Sequence, residues 1–316
     1  MRTMLLLFKL KPEHERRLRE RLPDWRIVTA GDGRAEEELY RNAEIVLGWN
    51  DGMNDALASA GKLRWIQTAS AGVDKLPLGE LRDRGIHVTS ASGIHTVAMA
   101  ETLFAMLLAF SRNLHLAVRS QSRREWRVAE RYGQLAGRTM GIIGVGAIGK
   151  EVARLARAFG MRTLGVRRSG QPAEGIDEMY GMDRLDEVLE RSDAVVNILP
   201  YTEETHHLYD ADRFRRMKPD ALFFNIGRGP SVDTDALVEA LRSGAIGGAG
   251  LDVFEAEPLP AEHPLWTMDN VILTPHIGGW TGQYKTRVLE LFEHNLDHYL
   301  QDGKPVRNVV DFDRSY

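Results

Sequence analysis

Cysteine is absent from the 316-residue chain. That absence excludes disulfides, thiolate-held metals and cysteine nucleophiles together. A basic surplus is missing too: the formal net charge is -4 at pH 7, so neither nucleic acid nor an anionic membrane surface is an expected partner. No apolar stretch approaches the ~20 residues a membrane span needs. The longest, Thr102 to Phe110, lies between Glu101 and Arg112. The N-terminal run Met4-Leu5-Leu6-Leu7-Phe8 is followed by Lys9, Lys11, Glu13 and Glu15, which reads as a first strand and not a signal peptide. The histidines lack paired spacing with carboxylates on a shared face, so no metal is expected. A cytoplasmic protein fits these absences.

What is present is enough for two domains: 43% hydrophobic and 27% charged residues. Up to about residue 95, short apolar runs alternate with helical patterns. Candidate strands are Met4–Leu10, Trp25–Thr29, Ile45–Gly48, Trp65–Thr68 and His87–Ser90. Candidate helices are Glu13–Arg21, Ala35–Asn42, Met53–Ala58 and Pro77–Arg84. One long helix is expected from Val97 to Leu116, apolar on several faces and therefore in need of more than one packing partner. Six further strands follow, Met140–Ile143, Thr163–Val166, Ala194–Leu199, Ala221–Asn225, Gly250–Val253 and Val271–Thr274, and then a final helix, Gln283–Leu300. Such alternation predicts α/β architecture with two doubly wound parallel sheets. The expected plan is a Rossmann cofactor domain, 96–282, inserted into a flavodoxin-like substrate domain made of 1–95 and 283–316. Two crossings between domains predict a hinged cleft.

The most telling segment is Gly144-Val145-Gly146-Ala147-Ile148-Gly149. The apolar run Thr139–Ile143 precedes it; Val152, Ala153, Leu155, Ala156 and Phe159 follow at helical spacing. A strand, a glycine turn and a helix N-terminus form a pyrophosphate cradle, in which backbone N–H groups and the helix dipole meet the phosphates. An acid about 20 residues on would take the ribose 2′-OH of NAD. Here Arg167-Arg168-Ser169 occupies that place, and no acid occurs until Glu174. Two guanidinium groups and a hydroxyl suit a 2′-phosphate, so NADP is the expected cofactor, with NAD weaker.

Three more segments each follow a candidate strand, where ligands sit in open α/β sheets. They are Asn225-Ile226-Gly227-Arg228-Gly229-Pro230, Leu251-Asp252-Val253-Phe254-Glu255-Ala256-Glu257-Pro258-Leu259 and Thr274-Pro275-His276-Ile277-Gly278-Gly279. Arg228 has the fork for a planar carboxylate beside a ketone. His276 can deliver a proton to the oxygen as hydride reaches the ketone carbon. A carboxylate beside it would stabilise the imidazolium and fix the ring. Both Glu257 and Glu255 are in range.

With the glycine motif, these segments resemble the D-isomer-specific 2-hydroxyacid dehydrogenase family over nearly the whole chain. The likeness includes Ala69-Ser70-Ala71-Gly72-Val73-Asp74 and Val97-Ala98-Met99-Ala100-Glu101. It implies Arg228 for the substrate carboxylate and carbonyl, His276 as proton donor or acceptor, and Glu257, the acid before proline, as the partner of His276. On that choice Glu255→Gln leaves the rate nearly unchanged. The resemblance gives Asp252 to the nicotinamide carboxamide and the backbone of Ala71, Gly72 and Val73 to the substrate carboxylate. Leu199 and Pro200 are read as adenine-side packing, Ile226 and Thr96 as further cofactor contacts, and His206 and His207 as surface. Trp49 and Trp280 either line a substrate pocket or serve as core or dimer contacts. A two-fold dimer around the Val97–Leu116 region is also implied.

The expected activity is reduction of a 2-oxo acid to a D-2-hydroxy acid, with glyoxylate or hydroxypyruvate leading. An oxidative D-2-hydroxyacid or phosphoglycerate dehydrogenase is the alternative within the family. A dinucleotide sensor without turnover is the alternative outside enzymes. Formate dehydrogenase is disfavoured, because a glutamine stands there at the Glu257 position.

Overall fold

The computed structural model describes residues 1–30, 36–73, 75–129 and 132–312. The chain divides into two compact units, Met1–Ile94 with Thr281–Tyr316, and His95–Trp280.

In the first unit, β1 (Arg2–Leu6), β2 (Trp25–Thr29), β3 (Ile45–Leu47), β4 (Trp65–Gln67) and β5 (His87–Thr89) alternate with α1 (Pro12–Arg21), α2 (Glu37–Asn42), α3 (Asp51–Ala56) and α4 (Leu78–Asp83). All pairs are parallel, in the order β2-β1-β3-β4-β5, which is the flavodoxin-like order. Such strands are covered on both faces and read as unbroken apolar runs: Met4 to Leu6 and Ile45 to Leu47 are all buried. β1 begins earlier and stops sooner than the apolar run suggests, because its ladder ends where Leu6 meets Thr29 and Leu47. The last helix, Tyr284–Asp302, lays Val288, Phe292 and Leu296 on this sheet, with Phe292 stacked on Trp65 at 4.9 Å. Its buried Asn295 holds the return segment, accepting from Arg307 N at 2.8 Å and donating to Arg307 O at 2.9 Å.

The second unit has, among the described residues, seven strands where six are legible in the sequence. They are β6 (Thr139–Ile143), β7 (Arg162–Val166), β8 (Glu178–Tyr180), β9 (Ala194–Asn197), β10 (Leu222–Asn225), β11 (Gly248–Leu251) and β12 (Val271–Leu273). Their order, β12-β11-β10-β9-β6-β7-β8, is parallel throughout. It is the dinucleotide-binding order with one strand added at the far edge. The further strand, β8, is a three-residue edge whose Glu178 pairs with Arg191 at 2.9 Å.

The helices are α5 (Thr96–Ser111), α6 (Leu114–Ser122), α7 (Ala147–Ala158), α8 (Leu185–Arg191), α9 (Ala211–Arg216) and α10 (Thr234–Ser243). The single helix expected over Val97–Leu116 is therefore two. Asn113 adopts φ 52°, and α6 turns away from α5 by 76°. Asn tolerates that left-handed backbone and ends the helix there. The apolar faces of α5 have partners in this chain: Met99, Leu103, Phe104 and Leu107 are buried with Val152 and Ala156 of α7 and Met140 and Ile142 of β6. No single helix among the described residues is long and apolar enough to cross a membrane.

Candidate active site

The glycine segment forms the turn between β6 and α7, where β6 separates β7 from β9 and the strand order reverses. Gly144 has φ 104°, and a Cβ there would lie 2.9 Å from the carbonyl carbon of Ile198. Only glycine fits both restrictions. Its N–H and that of Val145 donate to Val166 O at 2.9 and 3.2 Å. Gly146 caps α7 in extended conformation; Gly146 and Ala147 are exposed. A Cβ at Gly146 would meet nothing within 4 Å among the described residues. The first-turn amides of Ala147, Ile148 and Gly149 lack helical acceptors, and the clear space lies at Gly146, so the turn fits a pyrophosphate. The Ile148 side chain packs inward against the core.

After β7, the two arginines have different roles. Arg167 is spent on its own loop, with Nε donating to Gln171 O at 2.9 Å and a terminal nitrogen to Pro172 O at 2.8 Å. Arg168 and Ser169 are exposed. Among the described residues Arg168 makes no side-chain hydrogen bond or ion pair. Of the two arginines expected to meet a 2′-phosphate, Arg168 is the available one and Arg167 is engaged by its own loop.

Loops after β9 and β10 are locked by a buried polar network that sequence reasoning missed. Asn197, Asn225 and Ser231 are each at most 1% exposed. Asn197 Nδ2 donates to Asn225 Oδ1 at 3.0 Å and to Ser231 Oγ at 2.7 Å. Asn225 Oδ1 accepts from Gly227 N at 3.1 Å, while Asn225 Nδ2 and Ser231 Oγ donate to Arg228 O at 3.0 and 2.6 Å. Arg228 is thus fixed through its main chain, and its guanidinium reaches Gly227 O at 2.9 Å. Satisfied buried networks of this kind enforce one arrangement. The visible signal was an Asn ending both strands.

Asn225, Leu251 and Leu273 stand in register on adjacent strands, so the segments after β10, β11 and β12 leave the sheet side by side. At Gly229 a Cβ would fall 1.9 Å from the Phe254 carbonyl, so the Arg228 loop presses directly on the Glu257 loop. Glu257 Oε1 accepts from Phe254 N at 3.0 Å, and Oε2 accepts from His276 Nδ1 at 2.7 Å. His276 itself has φ 54°, and its ring is half exposed. The structure therefore brings Glu257 and His276 into contact and joins Arg228 to them by packed main chain.

Asp252 is 1% exposed and takes four hydrogen bonds from the His276 loop. Thr274 Oγ1 donates to Oδ1 at 2.6 Å and Ile277 N at 3.0 Å; Gly278 N donates to both oxygens at 3.1 and 3.0 Å. His95, just before α5, donates from Nδ1 to Gly279 O at 2.9 Å, and Thr102 of α5 donates from Oγ1 to Gly278 O at 3.2 Å. In this structure Asp252 anchors the loop that carries His276.

Glu255, the other carboxylate in range, is turned elsewhere. It accepts from His207 Nε2 at 2.7 Å and from Thr234 N, in the first turn of α10, at 2.8 Å. Burial pushes its carboxyl upward, but the Thr234 and His207 hydrogen bonds outweigh this and hold it below the usual carboxylate range. His207, read as plain surface, is therefore half of a second His–Glu pair.

Ile226 is 3% exposed, and its side chain belongs to the core. Leu199 packs partly against the other core face, whereas Pro200 is exposed. Thr96 begins α5. Trp280 is 76% exposed. In the first unit Trp49 packs on the core, with its indole Nε1 buried and, among the described residues, without a hydrogen-bond partner. Val73 is buried; Ala71 and Gly72 are half-buried, and Ser70 Oγ donates to Gly72 O at 2.7 Å. Asp74 lies outside the described residues. Among the described residues no cluster could hold a metal ion.

Residues 104–278 match the family described as D-isomer specific 2-hydroxyacid dehydrogenase, NAD binding domain. Glyoxylate/hydroxypyruvate reductase B of Escherichia coli (strain K12) is 36% identical, with 98% of each chain covered. A solved structure from Aeromonas salmonicida, of a D-isomer specific 2-hydroxyacid dehydrogenase family protein, is 40% identical. Its TM-score is 0.87, with 98% of this chain and 99% of that one covered. The NADPH-dependent glyoxylate/hydroxypyruvate reductase of Sinorhizobium meliloti, solved with NADP and sulfate, is 30% identical. It has a TM-score of 0.85, and both chains are covered fully.

Proposed function

This chain belongs to the D-isomer specific 2-hydroxyacid dehydrogenase family, and from that premise we propose that it reduces 2-oxo acids to D-2-hydroxy acids, glyoxylate or hydroxypyruvate foremost. The observation that carries the reading is the 2.7 Å bond from His276 Nδ1 to Glu257. It uses one ring nitrogen and leaves Nε2 as the proton donor to the substrate oxygen. Glu257, itself tethered by Phe254 N, sets the ring's orientation and compensates its charge. Arg228 supplies the fork for carboxylate and ketone oxygen, drawing off the charge that develops there. The glycine turn, Ala147 and Ile148 take the pyrophosphate through their amides. When bound, the nicotinamide supplies the hydride.

NADP is the preferred cofactor on this reading, with Arg168 and Ser169 meeting the 2′-phosphate and Arg167 bracing their loop. The Sinorhizobium relative is described as NADPH-dependent, which supports the preference. Initial rates on glyoxylate, hydroxypyruvate, pyruvate and phenylpyruvate, with NADPH and NADH side by side, test both points. The expected result is turnover of at least one acid, faster with NADPH. Arg168→Ala should weaken NADPH by about tenfold and NADH hardly at all. Dinucleotide binding without oxidation of any acid would favour the sensor.

A homodimer is part of the same proposal. Leu114, Val118, Trp126, Val128 and Tyr132 are more than half exposed, and Trp126 is 98% exposed. So many apolar side chains in one short segment call for a partner. Light scattering should give twice the chain mass, and Trp126→Asp with Val128→Asp should give a monomer.

A further inference from the structure

We propose that His207 is a positioning residue of the hydride-transfer site, acting by holding the Arg228 loop and the Glu257 loop together. The inference rests on the reading above and adds a residue to it.

Three loops meet at His207. Its main-chain N–H donates to Pro230 O at 2.9 Å, two residues beyond Arg228. Tyr209 N then donates to Ser231 O and Asp233 N to Tyr209 O, both at 3.0 Å. A short parallel bridge therefore ties 207–209 to the segment after Arg228. Through its side chain His207 Nε2 holds Glu255 at 2.7 Å, two residues before Glu257 on the same loop. Thr234 N fixes the second oxygen of Glu255. One residue thus grips the arginine loop by its backbone and the glutamate loop by its ring. The contact it reinforces is the close approach of Gly229 to the Phe254 main chain.

The local geometry is that of a residue held in place. His207 has φ 46°, a left-handed conformation uncommon in a non-glycine residue. His206 stacks on its ring at 4.0 Å, and Tyr201 meets His206 edge-on at 6.0 Å. The ring is therefore restrained on one face and at one nitrogen. Both His–Glu pairs share this construction: a histidine in left-handed backbone, and a carboxylate from the loop after β11. The loop after β11 is thus held at two points, Glu255 by His207 and Glu257 by His276.

The test is kinetic and uses the whole protein. His207→Asn suits the left-handed backbone but is too short to reach Glu255; His207→Gln keeps an N–H donor at the same reach. With glyoxylate and hydroxypyruvate, His207→Asn should lower kcat/KM by about tenfold or more, because small displacements of reacting groups are costly. KM for NADPH should stay within about twofold of the parent, and His207→Gln should recover most of the loss. Glu255→Gln, measured alongside, should fall in the same parameter by a few fold, and it speaks to the point even if His207→Asn fails to fold. Unchanged kinetics in His207→Asn and Glu255→Gln, equal impairment by Asn and Gln, or a loss confined to NADPH would each overturn the proposal. An active parent with silent variants sinks this inference alone. A parent that reduces no 2-oxo acid sinks the functional reading, and this one with it.

Discussion

Replacing His276 with asparagine should lower kcat for 2-oxo acid reduction by about a thousandfold, the middle of the range for removing a general acid. Asparagine is the informative choice because the residue has φ 54°. Asn accepts that backbone with little strain, so the loss reports the missing proton donor and not a refolded loop. NADPH affinity, followed by fluorescence titration, should change by less than about twofold, since the glycine turn that would hold the pyrophosphate is untouched. Glu257→Gln keeps a bond to the ring but presents an amide where a carboxylate stood. It favours the wrong tautomer, and a loss of about tenfold to a hundredfold in kcat is expected. A His276→Asn protein retaining more than about a tenth of the parent's kcat would remove His276 as the acid.

The choice between Glu255 and Glu257 shows what a sequence can and cannot yield here. Both acids lie on one loop, two residues apart, and nothing in local pattern separates them. Resemblance points to Glu257, and the fold places it on His276. The companion expectation, that Glu255→Gln leaves the rate nearly unchanged, does not reckon with His207, 48 positions earlier along the chain. Periodicity carries no information about such a contact, because it depends on where two loops end after six strands have been laid in register. The same limit hid the Asn197–Asn225–Ser231 network: each residue is unremarked alone, and only the pairing of β9 with β10 brings them together.

Long apolar runs behaved differently. β2, β3 and β10 were legible within a residue because strands covered on both faces need continuous hydrophobicity. β8 was not, because a three-residue edge strand is set by its neighbour β7 and by charges on its rim. The break at Asn113 was also invisible. One left-handed residue between α5 and α6 decides the bend.

Asp252→Ala should act first on stability and only through it on rate. The carboxylate is 1% exposed and takes hydrogen bonds from Thr274 Oγ1, Ile277 N and Gly278 N. Alanine leaves these donors without their acceptor, the Gly278 amide in a buried place, at a cost of about 1–3 kcal/mol for each group left unsatisfied. A total of about 4 kcal/mol lowers Tm of a unit this size by roughly 10 °C. The cofactor-free protein is the right sample, because it separates two roles the residue can have. A side chain whose work is to hold the nicotinamide carboxamide would, when removed, leave Tm of the free protein unchanged and weaken dinucleotide binding. A side chain that anchors the loop would lower Tm without any dinucleotide present and reduce kcat, because Ile277 and Gly278 directly follow His276. The geometry favours the second outcome: three groups of one loop converge on one buried carboxylate, and His276 is seated only as firmly as that loop is held.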